Sequence, residues 1–322
     1  MSPVILVWPQ PNPSQPDTRL LSKTDLIRPH SQQAGSRVFS YHTDPAWVAD
    51  FTHSVELIEE VPLVITVNGL AHAVMMITPV DVEPFVVGFL HSEGIIHEKN
   101  DIRDLSIRPQ THNGIESLAA DITLSPRMLH TYKQQQTARK GSTGCGLCGI
   151  ESLADALPSL EPLSIVETHC PLSNEQLTRF RDTLPEHQVL GRQVGAIHAA
   201  LLIDAQGNVL TSHEDIGRHN ALDKVIGWAL MHSHNVTGAS VLMTSRCSTE
   251  LIQKAVRAGI HTLIHLASPS SLAVQQARRY HLNLIHLPRQ GEPRFYVSFS
   301  DRMGLTTYVN DQQTTSVKRA VR

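Results

Sequence analysis

The chain has 322 residues, 41% of them apolar, with 27 Lys and Arg set against 30 Asp and Glu for a net charge of -3. That length accommodates two modest domains or one large one with extensions, and the charge balance lacks the basic excess that duplex nucleic acid selects, so a polyanion would need a local site. Four cysteines are too few for a disulfide-stapled secreted scaffold and fit a reducing compartment, the cytoplasm.

Residues 1 to 44 are rich in Pro, Ser, Gln and Asp with little periodicity, the composition of a flexible polar tail. Their opening, MSPVILVWPQ, has an apolar patch broken by proline and no basic start, unlike a signal peptide. No apolar run approaches the roughly 18 to 20 residues of a membrane helix. An N-terminal α+β region is expected over 45 to 135. In it PLVITV, the turn pair Asn68-Gly69 and AHAVMMI read as a hairpin. The stretch TPVDVEPFVVGFLHSEGII then reads as an amphipathic helix with Thr78 as cap, Pro79 at the first position and an apolar face of Val82, Phe85, Val86, Phe89 and Leu90. Two strands, DLSIRPQ and SLAADITLS, lead to a polar helix, MLHTYKQQQTARK.

Residues 136 to 190 form a linker carrying the glycine-rich stretch GSTGCGLCGIES and, further on, a helix with Ser173 as cap. From 191 to 322 strands and helices alternate. GAIHAALLID and NVLTSHED are two strands; IGRHNALDKVIGWALMHS is a helix; ASVLMTS, HTLIHLAS and LNLIHLP are buried strands separated by helices from Ser248 and from SSLAVQQARRY; RFYVSF is an edge strand. Near-continuous apolar strands between helices predict an α/β layer with a mixed, largely parallel sheet.

Cys145 and Cys148 are the first candidate site. Structural zinc normally takes two such pairs, and here Cys170 and Cys247 stand apart, so a metal would need histidines to complete it. A thioredoxin-like pair would open a helix, which the flanking glycines oppose. Glycine on both sides instead leaves a thiol accessible on a pliant backbone, and Lys133, Arg139 and Lys140 nearby favour thiolate. These are the properties of a persulfide carrier, although the residues alone also allow an exposed loop with incidental cysteines.

Three further segments lie where a strand meets a helix. SHEDIGRHNALDK at 212 to 224 offers Arg218 and His219 to an anion; a surface helix with an Asn220/Lys224 pair is the plainer alternative. MTSRCSTE offers Ser245 and Arg246, and HLASPSSLAV offers Ser270; hydroxyls and a guanidinium at helix entries suit phosphate. His198 in an apolar strand reads as a core residue. No metal site is expected.

VNGLAHAVMMITPVDVEPFVVGFLHSEGII, TGCGLCG, GAIHAALLID, HEDIGRHNALDKVIG, TSRCSTELIQKAVRAGI and ASPSSLAV, in this order, resemble the FdhD family of formate dehydrogenase accessory sulfurtransferases over roughly residues 55 to 300. The resemblance implies a cytidine-deaminase-like core, a homodimer, and transfer of sulfur from a cysteine desulfurase to the molybdenum cofactor, Mo-bis(molybdopterin guanine dinucleotide), of formate dehydrogenase. It places the persulfide on Cys145 with Cys148 as helper, and the cofactor-binding stretch on Leu287, Pro288, Arg289, Gln290, Gly291 and Glu292. GDP would then be a surrogate for the cofactor's tails. A zinc deaminase would share such a core but needs a His/Cys-x-Glu ahead of Pro-Cys-x-x-Cys, which this chain lacks. A non-enzymatic cofactor chaperone with structural or zinc-binding cysteines is the remaining alternative.

Overall fold

The computed structural model describes residues 35–41, 53–140, 157–164 and 172–297. Cys145, Cys148, Cys170 and most of the expected tail lie outside the described residues. Within the stretch expected to be tail, β1 (Ser36–Tyr41) pairs antiparallel with β2 (His53–Ile58). Its alternation was hidden by the polar composition around it. Gly35, just before β1, is buried against Leu190, Thr78 and Val80.

The N-terminal half is built on β3 (Val61–Val67), β4 (Leu70–Ile77), β5 (Ile102–His112) and β6 (Ile115–Leu124), in the order β4-β3-β6-β5. The expected β3–β4 hairpin forms, with Asn68 at φ 49° and Gly69 at φ 76° in its turn. Leu63, Ile65 and Val67 alternate inward on β3 and pack with α1 (Val82–Ser92) and with Met128 and Tyr132 of α2 (Pro126–Lys140).

α1 starts later than the capping pattern predicts. Asp81, in the left-handed region, occupies the cap position without a side-chain capping bond; its Oδ2 lies 2.8 Å from His213 Nδ1 instead. Thr78 is engaged across the molecule instead: its amide donates to Asp215 Oδ2 at 3.1 Å and its hydroxyl oxygen accepts from the Ile216 amide at 3.1 Å. A cap preference is worth about 1 kcal/mol, less than two buried hydrogen bonds to groups that would otherwise be unsatisfied.

The C-terminal half holds a six-stranded sheet of β7 (His198–Ile203), β8 (Val209–Asp215), β9 (Ser240–Met243), β10 (Thr262–His265), β11 (Asn283–His286) and β12 (Arg294–Val297). The order is β12-β11-β10-β9-β7-β8. The sheet is mixed as expected but not largely parallel, because only β9/β10 and β10/β11 are parallel while β7/β8, β7/β9 and β11/β12 are antiparallel. The five-residue connection between β7 and β8 forces a hairpin, since a parallel return needs a crossover of a dozen or more residues. Only the pieces separated by helices could run parallel.

Both faces of this sheet are covered. On one side Ala200, Leu202, Val241, Met243, Leu263 and Leu284 pack on α5 (Arg218–Met231), α6 (Thr249–Ala258) and α7 (Ser271–Arg279). On the other, Leu201, Leu242, Ile264 and Ile285 pack on Leu177 and Phe180 of α3 (Asn174–Thr183), whose start is fixed by the expected Ser173 cap in a reciprocal box with Gln176. A short α4 (Val189–Val194) lies between α3 and β7. Two-sided burial explains why the strands read as continuous apolar runs. Among the described residues no helix is long and apolar enough to cross a membrane.

Candidate functional site

In-register pairing of β9, β10 and β11 brings Met243, His265 and His286 side by side at their carboxyl ends. The segments that follow, carrying Ser245 and Arg246, then Ser268 to Ser270, then Leu287 to Glu292, therefore leave the same edge of the sheet. Antiparallel pairing adds the start of β7 (His198, opposite Asp215), the end of β8 leading into Arg218 and His219, and the start of β12, with Arg294 opposite His286. The expected cofactor-binding residues, scattered over 75 positions from 218 to 292, thus converge on one edge, where open α/β sheets place ligands.

They do not all face outward. Arg246, Ser270, Arg289, Gln290, Gly291 and Glu292 are exposed, Arg218, His219 and Pro288 are half-buried, and Leu287 is buried in the core. Ser245 is also buried: its hydroxyl donates to the Arg246 carbonyl at 3.1 Å, and its own carbonyl faces His265 Nδ1 at 3.1 Å. The expected hydroxyl contact from Ser245 is therefore corrected to a contact within the loop, because the turn after β9 points this side chain inward. Ser270 caps α7, accepting from the Ala273 amide at 3.1 Å. Ser248 occupies the cap position of α6 but makes no capping bond; its hydroxyl lies 3.4 Å from His219 Nε2.

His198, which an apolar strand marked as a core residue, is half-buried at this edge. Burial and the neighbouring Arg218 lower its pKa. His219 is lowered to about 4 by burial, with Arg218 opposing the attraction of Glu250, whose Oε2 lies 2.7 Å away. The edge thus carries two neutral imidazoles beside the guanidinium groups of Arg218, Arg246, Arg289 and Arg294, and its fixed positive charge suits an anion such as a diphosphate.

The remaining polar residues of 212 to 224 are structural. The side chains of Asp215 and Lys224 are fully buried and pair at 2.7 Å. Asp215 also accepts from Gly217 N at 2.8 Å and Asn220 Nδ2 at 2.9 Å, and Lys224 donates to the carbonyls of Glu214 at 2.9 Å and Thr78 at 3.2 Å. The surface-pair reading of Asn220 and Lys224 does not hold, since both residues are buried. Glu214 accepts from the Leu190 and Gly191 amides, both at 2.8 Å, at the start of α4, while burial raises its pKa. Asp223, raised by burial, is held by Lys254 Nζ at 2.7 Å and by Ser92 Oγ at 2.6 Å. Each of these contacts joins the end of β8 or α5 to another element, so the helix start that presents Arg218 and His219 is rigidly placed.

Cys247 is buried in the main core, and burial pushes its thiol up to about 12, so it is no nucleophile at neutral pH. Among the described residues no cluster of three His, Cys, Asp or Glu side chains could hold a metal.

His265 lies at the base of the edge, fully buried, with Nδ1 facing the Ser245 carbonyl, and burial lowers its pKa to about 4. A histidine whose folded pKa lies below its ordinary value near 6.5 contributes stability that is present above pH 6.5 and is lost as pH falls towards 4. The expected loss at pH 4.5 is about 2–3 kcal/mol from this residue. Urea titrations at pH 7.5 and pH 4.5 should show the wild type losing this much relative to His265→Gln; a difference that grows on acidification would contradict it.

The FdhD/NarQ family pattern matches residues 58–303. The chain belongs to the FdhD/NarQ family. It is 38% identical over 234 residues to "Sulfur carrier protein FdhD" of Burkholderia mallei, covering 72% of this chain and 85% of that one. The protein of the same name from Burkholderia cenocepacia is 38% identical over 234 residues, covering 72% and 84%. A solved structure, a putative formate dehydrogenase accessory protein from Desulfotalea psychrophila, superposes with a TM-score of 0.59 at 23% identity, covering 82% of this chain and 97% of that one. It shares the fold of this FdhD-family chain.

Arg181 had no place among the expected site residues. Its Nη1 donates to the carbonyls of Pro288 at 3.2 Å and Gly291 at 2.9 Å. The sequence held a signal for it, since Arg181 stands four residues after Leu177 on the inward stripe of α3 that also carries Phe180. An arginine on a buried stripe needs acceptors.

Proposed function

We propose that this chain is a cytoplasmic sulfur carrier that takes sulfur from a cysteine desulfurase on Cys145 and delivers it to the molybdenum cofactor, Mo-bis(molybdopterin guanine dinucleotide), needed by formate dehydrogenase. The observation that carries the reading is the convergence of Arg218, His219, Arg246 and the 287–292 loop on one sheet edge, in a family whose relatives bear the name sulfur carrier protein. The edge would hold the cofactor's diphosphate and guanine tails as substrate. A homodimer and a cytidine-deaminase-like core belong to the same proposal.

In the loading step the Cys145 thiolate attacks the outer sulfur of the donor's cysteine persulfide. A new S–S bond forms on Cys145, the donor's S–S bond breaks, and the donor cysteine leaves as thiolate. In delivery, the Cys148 thiolate attacks the inner sulfur of Cys145, forming a Cys145–Cys148 disulfide and releasing the outer sulfur as hydrosulfide with the electron pair of the broken bond. A cellular dithiol then reduces the disulfide. The glycines around the two cysteines permit the close approach this exchange needs.

Incubation with a cysteine desulfurase and cysteine should add one sulfur to the intact mass, and peptide mapping should place it on Cys145. Failure of Cys145→Ala to abolish the addition would remove the carrier role from that residue. Retention of client maturation without any added sulfur would favour the chaperone alternative.

A further inference from the structure

We infer that Arg181 is a positioning residue: it staples the 288–291 loop into the shape that accepts the nucleotide tail, and so sets the loop's ligand affinity. The inference rests on the reading of that loop as a nucleotide site, and goes beyond it by naming what holds the loop.

The loop has little else to hold it. Among the described residues no backbone–backbone hydrogen bond involves residues 288 to 293; the last is from the Leu287 amide to the His265 carbonyl at 2.8 Å. Pro288 and Pro293 have no N–H to give. Gly291 sits at φ 92°, a conformation that L side chains rarely adopt, so the chain reverses there without a ladder to fix the reversal. Arg181 supplies what is missing, with one nitrogen bonded to the carbonyl that opens the turn and to the one that closes it.

The donor itself is fixed. Phe180 and Leu177 are buried in the same cluster as Leu287, so helix and loop stem share one core, and the Ser173–Gln176 box fixes the start of α3. The Arg181 side chain is only 20% exposed, and its Nε lies 3.5 Å from Asp182 Oδ1. A guanidinium held by its helix and bonded to two carbonyls preorganises the loop before any ligand arrives, which removes an ordering cost from binding. With those carbonyls turned towards α3, the loop's own exposed residues, Arg289 to Glu292, are left for the ligand.

The test uses the full chain and GDP as probe, with Arg181→Gln and Arg181→Lys. Under limiting trypsin, cleavage after Arg289, mapped by peptide mass, should quicken on the order of ten-fold in Arg181→Gln, the scale of losing a charge-assisted hydrogen bond. GDP affinity should fall on the order of ten-fold with the preference over ADP unchanged, because the loop's shape and not a base contact is lost. Arg181→Lys, which keeps charge and a donor, should recover part of both. Unchanged loop cleavage in a folded Arg181→Gln protein would overturn the inference, as would faster cleavage with unaltered GDP affinity. Absence of GDP binding by the wild type would instead remove the nucleotide reading on which it stands.

Discussion

Replacing Lys224 by Met is expected to cost about 3–5 kcal/mol, and replacing Asp215 by Ala at least as much. Both side chains are fully buried and pair at 2.7 Å. Removing the ammonium leaves the Asp215 carboxylate in a dry site with only dipolar donors: Thr78 N, Gly217 N and Asn220 Nδ2. It also strips a donor from the Thr78 and Glu214 carbonyls. Removing the carboxylate strands the ammonium and three donors together, the costlier defect because more buried groups lose partners. The double variant Asp215→Asn/Lys224→Met should be less damaged than the sum of its parts, since no net charge is then left buried. Chemical denaturation at one pH measures all of these. A loss under 1 kcal/mol in Lys224→Met would show that water reaches the pair.

The location of this clamp matters for the site. Thr78 follows directly on β4 of the N-terminal sheet, Asp215 ends β8 of the C-terminal sheet, and Arg218 follows three residues later. Asn220 reaches back to the Met76 carbonyl at 2.8 Å. The edge that gathers the candidate ligand groups is thus anchored to the other half of the molecule, and the destabilised variants should weaken GDP binding as well as the fold.

Much of this architecture was legible in the sequence, and the misses share a cause. Periodicity located β3, β4, α1, α5, α6 and α7, because each has one apolar face or is apolar throughout. It could not give strand direction, so a largely parallel sheet was expected where three of the five pairings are antiparallel. Nor could it separate a buried polar residue from an exposed one: Asp215, Asn220 and Lys224 look like ligand groups or surface charges until their partners, distant in sequence, are known. The converging edge was legible because strand-to-helix junctions recur along the chain with hydroxyls and arginines at each. Arg181 was legible only as a charged residue on a buried stripe, because its acceptors are backbone carbonyls more than a hundred residues away.

Gly227→Ala should destabilise the protein by about 3 kcal/mol or more, against the local trend. In a helix interior alanine is favoured over glycine by about 1 kcal/mol, so propensity alone predicts a gain. The tertiary contact decides the sign. A Cβ on Gly227 would fall 1.8 Å from the Pro84 carbonyl oxygen, and one on Gly88 would fall 1.8 Å from the Asp223 carbonyl oxygen. Both obstacles are backbone, so no side chain can turn aside, and α1 and α5 would have to move apart. α1 carries Phe85, Val86 and Leu90 of one core and α5 carries Leu222 and Val225 of the other, so parting them opens both. Overpacking in a close-packed interior usually costs 1–3 kcal/mol, and backbone obstruction belongs at or beyond the upper end. Once one methyl has forced the helices apart the second meets less resistance, so Gly88→Ala/Gly227→Ala should cost clearly less than the sum of the singles. Denaturant titrations of the three variants decide between the two effects: stabilisation by Gly227→Ala would mean that helix propensity wins and the helices are not in backbone contact.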